Sequence, residues 1–233
     1  MKFQRTQKGF TLIELLVVIS IIAVLAGAVM PAIAGALVRG QLIAAMSNCR
    51  QIHLATSMMA NDGSTNSDTN LGWPGDLATA TAPATPITSL ADFVARLVKY
   101  DYLKAADLKI FAAPGINSYT GTADATTGAL TPSFANTNSA FKVYLVKDSD
   151  PSNTLFLASK NYTYNTAFTA ASSSVKPFGD KGFVVFRKGG DASVLKKQQA
   201  NGTTVVQIVG NVPGVADPSI AGTESGTNCY QAQ

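Results

Sequence analysis

The sequence predicts an α+β protein: one long N-terminal α-helix, its first half membrane-spanning, packed on an antiparallel β-sheet head domain. Three observations carry this. Residues 10–38 form an apolar run broken by a single charge, Glu14. Residues 39–60 continue with Leu42, Ala45, Met46, Cys49, Ile52, Ala55 and Met59, spaced by threes and fours as on one face of a helix. Beyond residue 140, short runs rich in Val, Phe and Leu alternate with turn signals, the pattern of antiparallel strands.

A helix of about 20 residues rises about 30 Å, enough to cross the hydrocarbon core of a bilayer. Residues 10–29 meet that length. Glu14 lies only a few residues inside the run. A carboxylate at membrane depth costs several kcal/mol, on the order of 3, unless it is paired or protonated. An anchor alone has no need of it. Lys2, Arg5 and Lys8 precede the run and supply most of the net charge of +4 on the 233 residues. Cations before a membrane helix keep the N-terminus in the cytoplasm and send the rest across. The chain beyond these cations is close to neutral, so the charge gives no argument for nucleic acid. The two cysteines, Cys49 and Cys229, then lie on the exported side. In an oxidising compartment they are a candidate disulfide, with two free thiols or a bridge to another subunit as the alternatives.

Three readings of the N-terminal segment compete. A cleaved secretory signal peptide would be cut near Ala28, but the apolar run continues past that point. An uncleaved signal anchor leaves Glu14 unexplained. The third reading rests on Lys8-Gly9-Phe10-Thr11-Leu12-Ile13-Glu14-Leu15-Leu16-Val17-Val18-Ile19. This stretch closely resembles the processing motif of type IV pilins and type II secretion pseudopilins. The resemblance implies that a prepilin peptidase cuts between Gly9 and Phe10 and methylates the Phe10 amine. It makes residues 1–9 a leader, 10–38 the transmembrane segment and filament core, 39–60 an amphipathic continuation and 61–233 the head. After cleavage the Glu14 carboxylate can pair with the Phe10 amine of a neighbouring subunit, which removes the burial penalty and fixes the stagger between helices. Pro31 sits inside the run and removes one backbone hydrogen bond, so a kink is expected there.

Several expectations concern the head. The turn-rich stretch of residues 61–70 ends the long helix near residue 60. Asn66, Asp68 and Asn70 alternate like calcium ligands, but Leu77 stands where the closing acidic residue should be, so a solvated loop is expected. Ser89 caps a short helix whose buried face is Leu90, Phe93, Val94, Leu97 and Val98. Residues 108–112 read as a short strand, and 116–140 as a long variable loop. Strands are expected at 141–146, 154–158, 183–187, 192–197 and 203–209, the last three forming a meander closed by Asn201-Gly202. The amphipathic half of the long helix would cover this sheet. The tail after Pro213 would fray unless Cys229 ties it to Cys49.

Catalysis finds no constellation here. His53 is the single histidine, which excludes an imidazole metal cluster and leaves it a helix-surface or packing residue. No phosphate loop or nucleophile elbow occurs. The expectation is a structural protein without enzymatic activity, cofactor or metal. The resemblance implies filament copies, minor pilins, an assembly platform and its cytoplasmic ATPase as partners, with membrane lipid around the helix before assembly. It places the chain in a bacterial inner membrane and then in a periplasmic or cell-surface filament. The Ser47–Ile52 stretch and Trp73-Pro74 resemble the pseudopilin branch. A signal-anchored extracytoplasmic binding protein that never polymerises is the alternative.

Overall fold

The computed structural model describes residues 9–81, 85–124, 127–215 and 222–230. Most of the leader expected over residues 1–9, with Lys2, Arg5 and Lys8, lies outside them. Helix α1 runs unbroken over Leu12–Asn66, through Pro31 and six residues past the end expected near residue 60. The chain divides into two compact units after Gly40, and the head comprises Gln41–Gln233. In the head, α2 (Pro74–Ala78) and α3 (Leu90–Lys99) precede a two-residue ribbon, β1 (Thr122–Ala123) with β2 (Leu130–Thr131). Then come β3 (Phe141–Tyr144), β4 (Leu155–Ser159), β5 (Phe183–Arg187), β6 (Ala192–Leu195), α4 (Val205–Ile208) and β7 (Cys229–Tyr230). The main sheet is antiparallel with strand order β6-β5-β4-β3-β7.

Both faces of this sheet are buried, so β3 and β4 show no exposed residue and no alternation. One face receives α1. Leu42, Ala45, Cys49, Ile52, Ala55 and Met59 are buried along its stripe. The helix runs along β5. At one end, a Cβ on Gly182 would stand 3.1 Å from Leu42 Cδ1, so only glycine lets the helix approach. At the other, His53 sits among Trp73, Phe156 and Phe186, with ring centroids at 5.8, 5.9 and 5.0 Å. Its Nε2 lies 2.8 Å from the Lys188 carbonyl oxygen, which can only accept, so Nε2 carries the proton. Burial lowers the His53 pKa, against the raising effect of that hydrogen bond. His53 is the packing residue its isolation suggested.

The opposite face carries Phe183, Val185, Ala158, Lys142 and Tyr144, since directly opposed residues and residues two apart share a face. Its cover comes from chain with little regular structure. Tyr162 stacks on Phe183 at 4.1 Å between centroids, and Phe168 joins them. Glu224 enters from the C-terminal segment. Its carboxylate lies 2.7 Å from Lys142 Nζ and accepts from the Tyr144 hydroxyl at 2.7 Å and the Tyr164 N–H at 3.1 Å. The two charged side chains are 7% and 2% exposed, a buried ion pair whose oxygens are occupied by donors. Just beyond, β7 adds to the edge of β3, and the Tyr230 hydroxyl donates to the Ile87 carbonyl.

This geometry corrects the candidate disulfide. Cys229 is paired with Tyr144, so it belongs to the face bearing Lys142 and Glu224. Cys49 belongs to the stripe of α1 on the other face. The sheet separates them, and both are buried free thiols. Strand pairing and Glu224 tie the tail instead.

Three further expectations differ. Residues 108–112 are not a strand: Ala105–Phe111 is a 3-10 helix, whose three-residue repeat buries Leu108 and Phe111 together. The expected strand 203–209 is the short α4, with Val205, Val206 and Val209 at helical spacing against the core. Arg187 reaches it with a guanidinium that donates to the Val209 carbonyl at 3.1 Å and to the Ile208 carbonyl, occupying the open acceptors of the helix end. Of the three strands expected over 183–209, β5 and β6 form, and the meander runs back through β4 to β3 instead. Finally, the described residues within 116–140 hold more structure than the expected loop: β1, β2 and a 3-10 turn at Asn136–Asn138, with Tyr119 and Phe134 buried and the Tyr119 hydroxyl donating to the Pro132 carbonyl at 2.7 Å.

Two substitutions probe this packing. Glu224→Gln leaves the Lys142 ammonium buried without its counter-charge and should lower unfolding stability by about 3–5 kcal/mol. Lys142→Met/Glu224→Leu should recover most of it. Denaturant titration of the detergent-solubilised chain, monitored through the single tryptophan, Trp73, reads both, and a loss under about 1 kcal/mol contradicts the role of the pair. The lowered His53 pKa sets the sign of a second effect. The folded state prefers neutral imidazole, so stability is full above the ordinary value of 6.5 and declines as pH falls below it. His53→Gln keeps an N–H donor without the titration and should flatten that decline.

Candidate functional site

The functional candidates Gly9, Phe10 and Glu14 fall together at the start of α1. Gly9 and Phe10 are exposed and outside the helix, and among the described residues nothing beyond its chain neighbours comes within 4 Å of where a Gly9 side chain would begin.

Thr11 and Glu14 build the helix start. The Thr11 N–H donates to Glu14 Oε2 at 2.9 Å, and its hydroxyl to the same oxygen at 2.8 Å. The Glu14 N–H faces Thr11 Oγ1 at 3.4 Å. This is a reciprocal capping box, Thr-x-x-Glu, which satisfies backbone donors that a helix start otherwise leaves open. The negative charge also sits at the positive end of the helix dipole. Sequence reasoning assigned Glu14 only to a neighbour's amine. The spacing of Thr11 and Glu14 was the signal for this second, internal role.

The surface beyond is apolar. Leu12–Met30 is a candidate membrane span of 19 residues with mean hydropathy 2.8 and none of it buried. Large apolar side chains from Phe10 to Leu37 are 47–89% exposed. The polar side chains of the span find partners close by: Glu14 with Thr11, and the Ser20 hydroxyl donating to the Val17 carbonyl at 2.7 Å. That is what a solvent unable to hydrogen-bond requires. The helical state continues across Pro31.

Other candidates have structural partners. Asn66 ends α1, and Asp68 Oδ1 accepts from the Asn70 N–H and side-chain amide at 2.9 and 3.0 Å, closing a turn. Among the described residues no group of three or more His, Cys, Asp or Glu side chains could hold a metal ion. Trp73 and Pro74 act in packing: Trp73 stacks edge-on to Phe156, and Pro74 opens α2.

Residues 4–30 match the prokaryotic N-terminal methylation motif. The type IV major fimbrial protein FimA of Dichelobacter nodosus is 39% identical over 67 residues, covering 29% of this chain and 43% of that protein. The chain thus spans less than half the length of this relative. A second FimA from the same organism is 34% identical over 110 residues, covering 42% of this chain and 69% of its own length. No solved structure matches at comparable significance. Since the likeness to this second relative runs over more than two thirds of it and includes the methylation motif, the chain belongs to the type IV pilin family.

Proposed function

We propose that the chain is the structural subunit of a helical filament of pilus or pseudopilus type, processed by a prepilin peptidase and assembled through α1. The observation that carries this is the apolar helix of Leu12–Met30, exposed over its whole surface, with one carboxylate near its start. Such a surface needs lipid or its own kind around it. Lipid serves the waiting subunit, and parallel copies of α1 serve the filament. Cleavage between Gly9 and Phe10 frees an amine that is then methylated, and Glu14 meets the corresponding amine of a neighbour. Glu14 thereby exchanges one set of donors, on Thr11, for another. Pro31 supplies a point where the helix loosens as copies pack. The heads form the outer surface. A prepilin peptidase and methyltransferase, minor pilins, an inner-membrane platform and its ATPase are the partners this reading requires.

The fimbrial relatives favour a pilus. The pseudopilus reading rests on the likeness at Ser47–Ile52 and Trp73-Pro74, two stretches that also serve the packing of the head. The non-polymerising alternative, a signal-anchored binding protein, leaves Glu14 without an intermolecular role.

Intact mass of the protein from its host tests the processing. The expected product lacks residues 1–9 and carries one added methyl group. Gly9→Val should abolish that product, and an uncleaved chain or a cut near Ala28 in the wild type overturns the reading. Glu14→Ala should still insert in membranes, while its filament yield, measured by shearing and sedimentation, should fall at least tenfold, as a lost pairing of about 1.4 kcal/mol or more implies. Normal yield would remove Glu14 from the assembly step.

A further inference from the structure

The head carries its charge unevenly along α1. Where the helix enters the head, Leu42 packs beside Gly182, whose Cβ would also meet the Leu195 carbonyl oxygen at 2.9 Å. The chain on either side of this contact bears Lys181, Lys196 and Lys197, all exposed. The Lys181 and Lys197 side chains are 69% and 51% exposed. One carboxylate stands with them: Asp180, 3.2 Å from Lys197 and 3.7 Å from Lys181. At the His53 end carboxylates are more numerous, with Asp76, Asp148, Asp150 and Asp191 around Lys147, Arg187 and Lys188. Lys188 is held by the carbonyls of Asp148 and Asp150, Arg187 pairs with Asp191, and Asp76 accepts from the Asp148 N–H at 2.8 Å.

Chain connectivity bounds how far the unmatched end can lie from the span. The apolar run of residues 10–38 rises about 43 Å as helix, close to the roughly 40–45 Å of a bilayer with its headgroups. The head begins at Gln41, three residues beyond that run, so chain connectivity alone keeps the lysines beside Leu42 within reach of the headgroups. Lysines within a Debye length of lipid phosphates gain from a negative surface potential.

We propose that Lys181, Lys196 and Lys197 form a docking surface for anionic phospholipid headgroups, on which the head rests while the subunit is anchored. This depends on the reading of α1 as a membrane span. It gives the waiting subunit a defined seat, and assembly must detach it. The lysines, not the apolar helix, then make release sensitive to lipid charge and salt.

Reconstituting the full chain in neutral phosphatidylcholine vesicles and in vesicles with phosphatidylglycerol tests this. Lysine acylation by an amine-reactive ester, read by peptide mass, should slow on the order of tenfold at Lys181, Lys196 and Lys197 in anionic vesicles, about fivefold being the worth of one such lysine. The exposed Lys104 should be unaffected, and high salt should abolish the difference. Lys196→Gln/Lys197→Gln should remove most of the protection at Lys181. Equal acylation in both vesicles, with the chain resistant to alkaline extraction, overturns the docking surface alone. A chain that is extracted overturns the span and this inference with it. Protection that arises only in filaments assigns the lysines to a neighbouring subunit and also overturns it.

Discussion

A sheet buried on both faces must find two covers, and the head is organised by that requirement. The first cover is regular. The second half of α1 is long enough to track β5 from Gly182 to Lys188, and its apolar stripe matches the sheet. The second cover is assembled from turns, aromatic stacks and a charge pair. Without the first, the aromatic group around His53 would be open to water. Without the second, Lys142 and Tyr144 would face solvent beside exposed phenylalanines.

The two covers differ in how plainly the sequence announces them. Spacings of three and four on α1, the Ser89 cap, and the runs that became β3, β4 and β5 are local patterns, and each element formed near its expected place. The second cover is non-local. Nothing near Glu224 says that it will meet Lys142, 82 residues away. The same blindness produced the expected Cys49–Cys229 bridge, since side chains on opposite faces of a sheet look equally apolar in sequence. Val205, Val206 and Val209 misled differently: β-branched residues suggest a strand, but a helical turn put all three against the core. At the N-terminus the methylation motif is legible because it is contiguous, while the charge of Glu14 draws attention from its capping role.

The N-terminal segment answers a different problem. Its side chains need no partner in the monomer, because the environment supplies one. Its polar groups are therefore closed on themselves, Glu14 on Thr11 and Ser20 on Val17. A carboxylate already holding two donors can wait at membrane depth, and its one remaining oxygen can still reach a cation. The head instead fixes its buried charges permanently, with Lys142 and Glu224 sealed by Tyr144 and Tyr164.

The placement of β7 has a bearing on the order of folding. The chain supplies β3 long before Glu224 and Cys229–Tyr230, and until they join it the edge of β3 and the Lys142 ammonium are uncovered. Native closure of the head waits on residues 224–230, and contacts of such long sequence separation form slowly. The edge of β3 and the Lys142 charge therefore close together, as one late event in the folding of the head.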